Sequence, residues 1–180
     1  MPQVHVIGEI AGALGFPKNR LYGRYKLLSN AEHWHVMRGA DESYTHLDET
    51  SGPGTAVWNH PIDVHFGTDS LSGWPRMLVE VWSVDNCDRS ELLGYGMCFV
   101  PSSPGSYDID CVTWAPRGTL VDRLSAALLG APPHLREVGT AASGADRFEL
   151  RTETRGLVLC HLEVLLSGFA EKNVRTGRAY

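Results

Sequence analysis

Apolar and polar residues alternate with a period of two along most of this chain. Val4, Val6, Gly8 and Ile10 alternate with His5, Ile7 and Glu9. Met77, Val79 and Val81 alternate with Leu78, Glu80 and Trp82. Near the end, Val158, Cys160, Leu162, Val164 and Leu166 make one apolar face, with His161 and Glu163 opposite. Successive side chains of a strand point to opposite sides, so this spacing predicts half-buried strands. Further strands are expected at 20–28, 33–38, 43–48, 61–67, 91–100, 106–113 and 146–153. Turn chemistry separates them at Gly52-Pro53-Gly54, Gly73-Trp74-Pro75, Pro104-Gly105 and Arg155-Gly156. Many short strands between Gly and Pro turns predict an all-β fold, an antiparallel β-sandwich or barrel.

One segment departs from that period. In Thr119–Gly130, Leu120, Leu124 and Leu128 recur every fourth residue, Thr119 with Asp122 can form a capping box, and Gly130 before Pro132-Pro133 supplies a stop. This predicts one amphipathic helix inserted between strands, its apolar stripe packed on the core. Residues 130–145 are rich in Ala, Gly and Pro and read as a loop. With no linker and no internal repeat, the chain reads as one domain over 1–169 and a polar tail over 170–180 that carries Lys172, Arg175 and Arg178.

Composition narrows the function classes. Of 180 residues 43% are hydrophobic and 21% charged, as in soluble globular proteins. A net charge of −5 argues against a nucleic-acid binder, which needs an excess of Lys and Arg against phosphate. Cys87, Cys98, Cys111 and Cys160 make no C-x-x-C pair, and three of them sit in strand-like runs. They are expected to be buried free thiols of a reducing compartment. The opening MPQVHVIGEIAGALGF lacks a basic n-region, and no run approaches the ~20 apolar residues of a membrane span. A soluble cytoplasmic protein is the expectation.

Catalytic motifs are absent from the sequence. There is no G-x-S-x-G elbow and no P-loop, and Gly8, Gly12 and Gly15 have the wrong spacing for a dinucleotide fingerprint. Those glycines are better explained by a bulge or bend in the first strand. His33 and His35 form H-x-H, which on a strand would put both imidazoles on one face. A zinc site needs further ligands that nothing in the sequence brings there, so no metal is expected. In the segment 20–29, Arg20, Tyr22, Arg24 and Lys26 share one face and Leu21, Gly23, Tyr25 and Leu27 the other. Arg20, Arg24 and Lys26 are therefore a candidate face for a partner or, if the chain is instead a peripheral membrane module, for anionic phosphoinositides, each cation adding about 1 kcal/mol near a charged membrane.

The stretch Met77 to Met97 resembles the central part of C2 domains. Val79-Glu80-Val81-Trp82 matches their strand and Leu93-Gly94 the later apolar-Gly pair. Where a calcium-binding member of that class carries D-x-D, this chain has Ser83-Val84-Asp85, with Asp88 and Glu91 out of step. Calcium needs six to eight oxygen ligands and several carboxylates, so no calcium site is expected. Longer blocks go further. His60-Pro61-Ile62-Asp63-Val64-His65-Phe66, Gly73-Trp74-Pro75-Arg76, Gly94-Tyr95-Gly96, Val100-Pro101-Ser102-Ser103-Pro104-Gly105, Thr113-Trp114 and Ser143-Gly144-Ala145-Asp146-Arg147, in this order, resemble the B9 family.

That resemblance implies a C2-like β-sandwich without enzymatic activity or cofactor, placed at the basal body and transition zone of cilia. It implies association with other B9 proteins in a hetero-oligomeric complex, the Meckel-syndrome or tectonic-like complex, which limits diffusion of membrane proteins into the cilium. The rigid turns Trp74-Pro75 and Pro101-Ser102-Ser103-Pro104 are the expected partner-binding residues, because stiff loops lose little entropy on docking. Trp82, inside a strand, is expected in the core; Trp74, in a turn, is divided between core and interface.

Overall fold

The structure is a computed structural model and describes residues 1–49, 54–116 and 152–169. These form ten strands: β1 (Gln3–Leu14), β2 (Arg20–Leu28), β3 (Trp34–Gly39), β4 (Glu42–Tyr44), β5 (Asp48–Glu49), β6 (Thr55–Thr68), β7 (Arg76–Val84), β8 (Ser90–Phe99), β9 (Gly105–Pro116) and β10 (Thr152–Ser167). All pairings are antiparallel, in the order β3-β6-β1-β10-β9-β8-β7-β2-β4 with β5 on β2. The all-β expectation holds for the described residues. The expected helix Thr119–Gly130 lies outside them, as do most of the expected strand 146–153 and the tail 170–180.

Connectivity curls the sheet. β3 and β4 end its two sides, yet only Ala40 and Asp41 separate them in sequence. The sides therefore close on one another: Trp58 of β6 donates from Nε1 to the carbonyl of Leu21 in β2 at 3.3 Å. Inward residues from both halves, including Val6, Leu21, Ile62, Val79, Cys111 and Leu162, form one continuous core. β8 and β9 pair at only two positions, Tyr95 with Trp114 and Gly96 with Thr113.

Several expectations need correcting in detail. Arg155-Gly156 is not a turn but a register shift inside β10, where Thr113 Oγ1 donates to the Gly156 carbonyl at 2.8 Å and accepts its N–H at 3.0 Å. A glycine in a strand can signal a bulge as well as a turn. The expected strand 43–48 divides into β4 and β5, and that at 61–67 begins six residues earlier at Thr55. Pro61 is tolerated inside β6 because β3 pairs only with Val64–Thr68, so at Pro61 one edge of the strand has no partner to hydrogen-bond. Trp82 is not in the core: it stands half-buried on the outer face, its ring stacked on Tyr22 with 6.3 Å between centroids, and its Nε1 donates to Glu80. β7 is covered on both sides. Met77, Val79 and Val81 face the core while Leu78 joins Tyr95 and Trp114 in a second, outer apolar cluster. Period-two alternation cannot say which face of such a strand is inner.

All four cysteines are free, with Cys87 exposed and the other three buried. A hydrogen bond with Cys111 together with burial raises the Cys98 thiol far above its ordinary range, and burial raises Cys160. No helix among the described residues is long and apolar enough to cross a membrane.

Candidate functional site

The two loops singled out in the sequence lie side by side. Val100 accepts the Trp74 indole N–H at 2.9 Å, and its own N–H donates to the Pro75 carbonyl at 3.3 Å. Trp74 is wedged edge-on against Trp34 at 5.1 Å and against Phe169 at 6.5 Å. It is half-buried, Pro75 is buried, and Pro101, Ser103 and Pro104 are partly covered. Ser103 also accepts the Tyr107 hydroxyl at 3.1 Å. Of the six expected contact residues, Ser102 is the one exposed to solvent. Beside it stands Phe99, 66% exposed, which periodicity does not single out because it closes an alternating strand like any core residue. The end of the sheet thus presents one stiff platform. Trp74 ties the two loops together through Val100, and Ser102 and Phe99, three residues apart, are both exposed.

The basic face also forms, but its charges are spoken for. β2 alternates as expected, with Arg20, Arg24 and Lys26 outward. Glu42 of β4 accepts from Arg24 Nε and from Lys26 Nζ, each at 2.9 Å, and these two hydrogen bonds, Lys26 first, lower the Glu42 carboxyl below its usual range. Arg24 also reaches the buried Glu80 at 3.5 Å and covers the Tyr44 ring at 5.5 Å. Arg20 donates to the Asp85 carbonyl at 2.8 Å and lies 3.4 Å from Glu49. An anionic headgroup would have to compete with these carboxylates, which cancels much of the attraction the three cations would otherwise provide.

The loop after β7, which the sequence likened to a C2 calcium loop, is closed on itself. Asp85 accepts the N–H groups of Cys87 at 2.8 Å and Arg89 at 2.9 Å, and pairs with the Arg89 guanidinium at 2.7 Å. Asp88 turns the chain at φ 57°. The H-x-H pair does not share a face: His33 lies in the turn before β3 and meets Asp69 at 2.9 Å, whereas His35 is on β3 itself. Among the described residues no group of three or more His, Cys, Asp or Glu is placed to hold a metal ion.

One constellation is invisible to sequence spacing. Ser106 Oγ lies 3.1 Å from His161 Nε2, and His161 Nδ1 lies 2.7 Å from Asp108 Oδ1. Ser106 and Asp108 are two apart on β9 and His161 is opposite Asp108 on β10, so only the strand register reveals it. The hydrogen-bond order is that of a Ser-His-Asp triad, but Asp108 is 91% exposed and the group stands on an open sheet face. A working triad buries its aspartate and directs backbone donors at the developing oxyanion; this one is a cross-strand polar pairing. The Asp108 hydrogen bond raises the His161 pKa above the ordinary histidine value, so protonated His161 favours the fold at low pH and that contribution fades as pH rises through the raised pKa. An NMR titration should show His161 losing its proton later than a free histidine, and Asp108→Asn should remove most of the difference, leaving the smaller part due to Glu9 and Glu163.

The family model described as "Ciliary basal body-associated, B9 protein" matches residues 4–165. The chain belongs to the B9 family. B9 domain-containing protein 2 of Rattus norvegicus is 43% identical over 169 residues, covering 94% of this chain and 96% of that one. B9 domain-containing protein 1 of Xenopus laevis is 25% identical over 178 residues, 97% of this chain and 89% of the relative. Among solved structures, a C2 domain of plant Extended Synaptotagmin 1 aligns over 90% of this chain and 92% of its own at 13% identity and a TM-score of 0.45. B9 membership makes this a protein of the ciliary basal body.

Proposed function

We propose that the chain is a non-enzymatic scaffold with a C2-like sandwich fold, a subunit of a hetero-oligomeric transition-zone complex that binds other B9 proteins and supports the ciliary diffusion barrier. The observation that carries this reading is the platform at one end of the sheet. Two loops hold each other through the Trp74 bond to Val100, and an exposed phenylalanine and serine face solvent. A surface prepared in this way loses little conformational entropy on docking, and an exposed aromatic beside it is the kind of residue that anchors a protein contact.

Ser102→Arg tests it. The substitution puts a long charged side chain on the platform while leaving every hydrogen bond beneath it intact. Binding to a second B9 protein should weaken by about tenfold or more, since a charge desolvated in an interface costs several kcal/mol unless paired. The isolated variant should melt within about 0.5 kcal/mol of the parent, as surface changes do. Unchanged binding, measured by size-exclusion chromatography of the co-expressed pair, removes the platform from the interface.

A further inference from the structure

The outer face of the sheet carries a second feature, at the opposite end from the platform. β6, β1, β10 and β9 are consecutive neighbours, and their register sets outward residues in rows. In one row Val57 faces Gly12 and Gly12 faces Leu159. In the next, Leu14 faces Leu157 and Leu157 faces Val112. Val57 is 55% exposed and Val112 53%, Leu14 is open, and Leu157 and Leu159 are partly open. Neighbouring strands lie about 4.8 Å apart, so the five side chains form one apolar area about 14 Å wide. Gly12 between Val57 and Leu159 is buried, and a Cβ there would meet the Ala56 carbonyl oxygen at 2.1 Å, so this row carries side chains at Val57 and Leu159 alone. From Gly105 at the platform to Val112 is seven residues of extended chain, about 23 Å, so the two surfaces are distinct.

A contiguous apolar area on an exposed sheet is uncommon in a protein that works alone. Among the described residues its surroundings are acidic. Asp110 is opposite Leu159, Glu9 and Asp108 flank His161 in the row beyond, and Asp48 accepts the Val57 N–H at 2.8 Å. Arg155, the cation on β10 among the described residues, is held by Glu153. This rim decides between occupants. An anionic membrane would be repelled, and a second copy would bring acidic rim against acidic rim. A protein surface with Lys or Arg around an aliphatic centre meets both parts of the face.

We propose that Val57, Leu14, Leu157, Leu159 and Val112 form a second docking surface, for a partner protein that presents aliphatic side chains encircled by Lys or Arg. The test rests on the reading that the partner is another B9 protein. B9 domain-containing protein 1 is immobilised as the probe and the full chain is passed over it. Val57→Asp with Val112→Asp should weaken binding by about a hundredfold, because charges enter the centre of the contact. Val57→Thr with Val112→Thr keeps β-branching and so keeps the strands. That pair should weaken binding by about tenfold with an unchanged melting curve, which guards against a loss of fold in the first pair. Glu9→Gln with Asp110→Asn should slow association several-fold and flatten its dependence on salt, leaving dissociation nearly unchanged. Parent binding with both valine pairs unaffected overturns the docking surface alone, whatever Ser102→Arg does. Absence of binding by the parent chain overturns the surface and the partner reading together.

Discussion

Gly8→Ala is expected to destabilise the domain by about 4 kcal/mol or more, among the largest effects a single methyl group can have. β1 lies between β10 and β6, hydrogen-bonded to both. A Cβ at Gly8 would stand 2.0 Å from the main-chain oxygen of His161 and 3.0 Å from Leu162 Cα. The obstacle is backbone on a paired strand, so no side chain can rotate out of the way. The ladder must open instead, and each opened pair strands buried N–H and C=O groups. Gly15→Ala is the matched control. There φ is 79° but the nearest atom, Gly156 Cα, is 3.7 Å away, so the cost is conformational strain alone, about 1 kcal/mol. Urea denaturation of both variants checks the difference. Equal midpoints would mean that β1 and β10 are not packed at this register.

How much of this was legible in the sequence differs from element to element. β2 was bounded at Arg20 and Leu28, as found, because one of its faces is wholly core and the other is dominated by cations. The glycines of β1 were read as a bulge, and the register indeed shifts between Ile10 and Gly12. Family membership rested on six ordered blocks and is confirmed over nearly the whole chain. What escaped depends on pairing between distant segments. Glu42 lies sixteen residues beyond Lys26, yet sits opposite it on β4 and neutralises the basic face. Ser106 and His161, 55 residues apart, meet only because β9 and β10 pair in one register. The apolar area on the outer face was hidden for the same reason. Val57, Leu14 and Val112 are ordinary within their own strands and matter only when four strands are laid together. Trp74 was split between core and interface, and it serves the platform by tying its two loops together, an arrangement that periodicity along one segment cannot express.

The other large effect is expected at Ser83. The sequence resemblance set Ser83 where a calcium-binding loop would carry an acid, and on that reading restoring the acid is a route to calcium binding. The strand contradicts this. Ser83 follows Met77, Val79 and Val81 on the inward side of β7, it is completely buried, and its Oγ has no hydrogen-bond partner. An aspartate there would enter the core, away from Asp85 and the loop. Ser83→Asp should therefore cost about 3–5 kcal/mol, the effect of an uncompensated buried charge. The sign of its pH dependence follows. Burial raises the carboxyl pKa of the folded state, so the native form binds more protons than the unfolded one and stability falls as pH rises. The loss should thus shrink in acid. Ser83→Ala goes the other way. It removes an orphaned hydroxyl, leaves the fold intact and should raise stability by about 1 kcal/mol. Denaturation of both variants at neutral and acidic pH, with calorimetric calcium titration of Ser83→Asp, separates the readings. A stable Ser83→Asp chain that binds calcium would place this residue in the loop and overturn the inward register of β7.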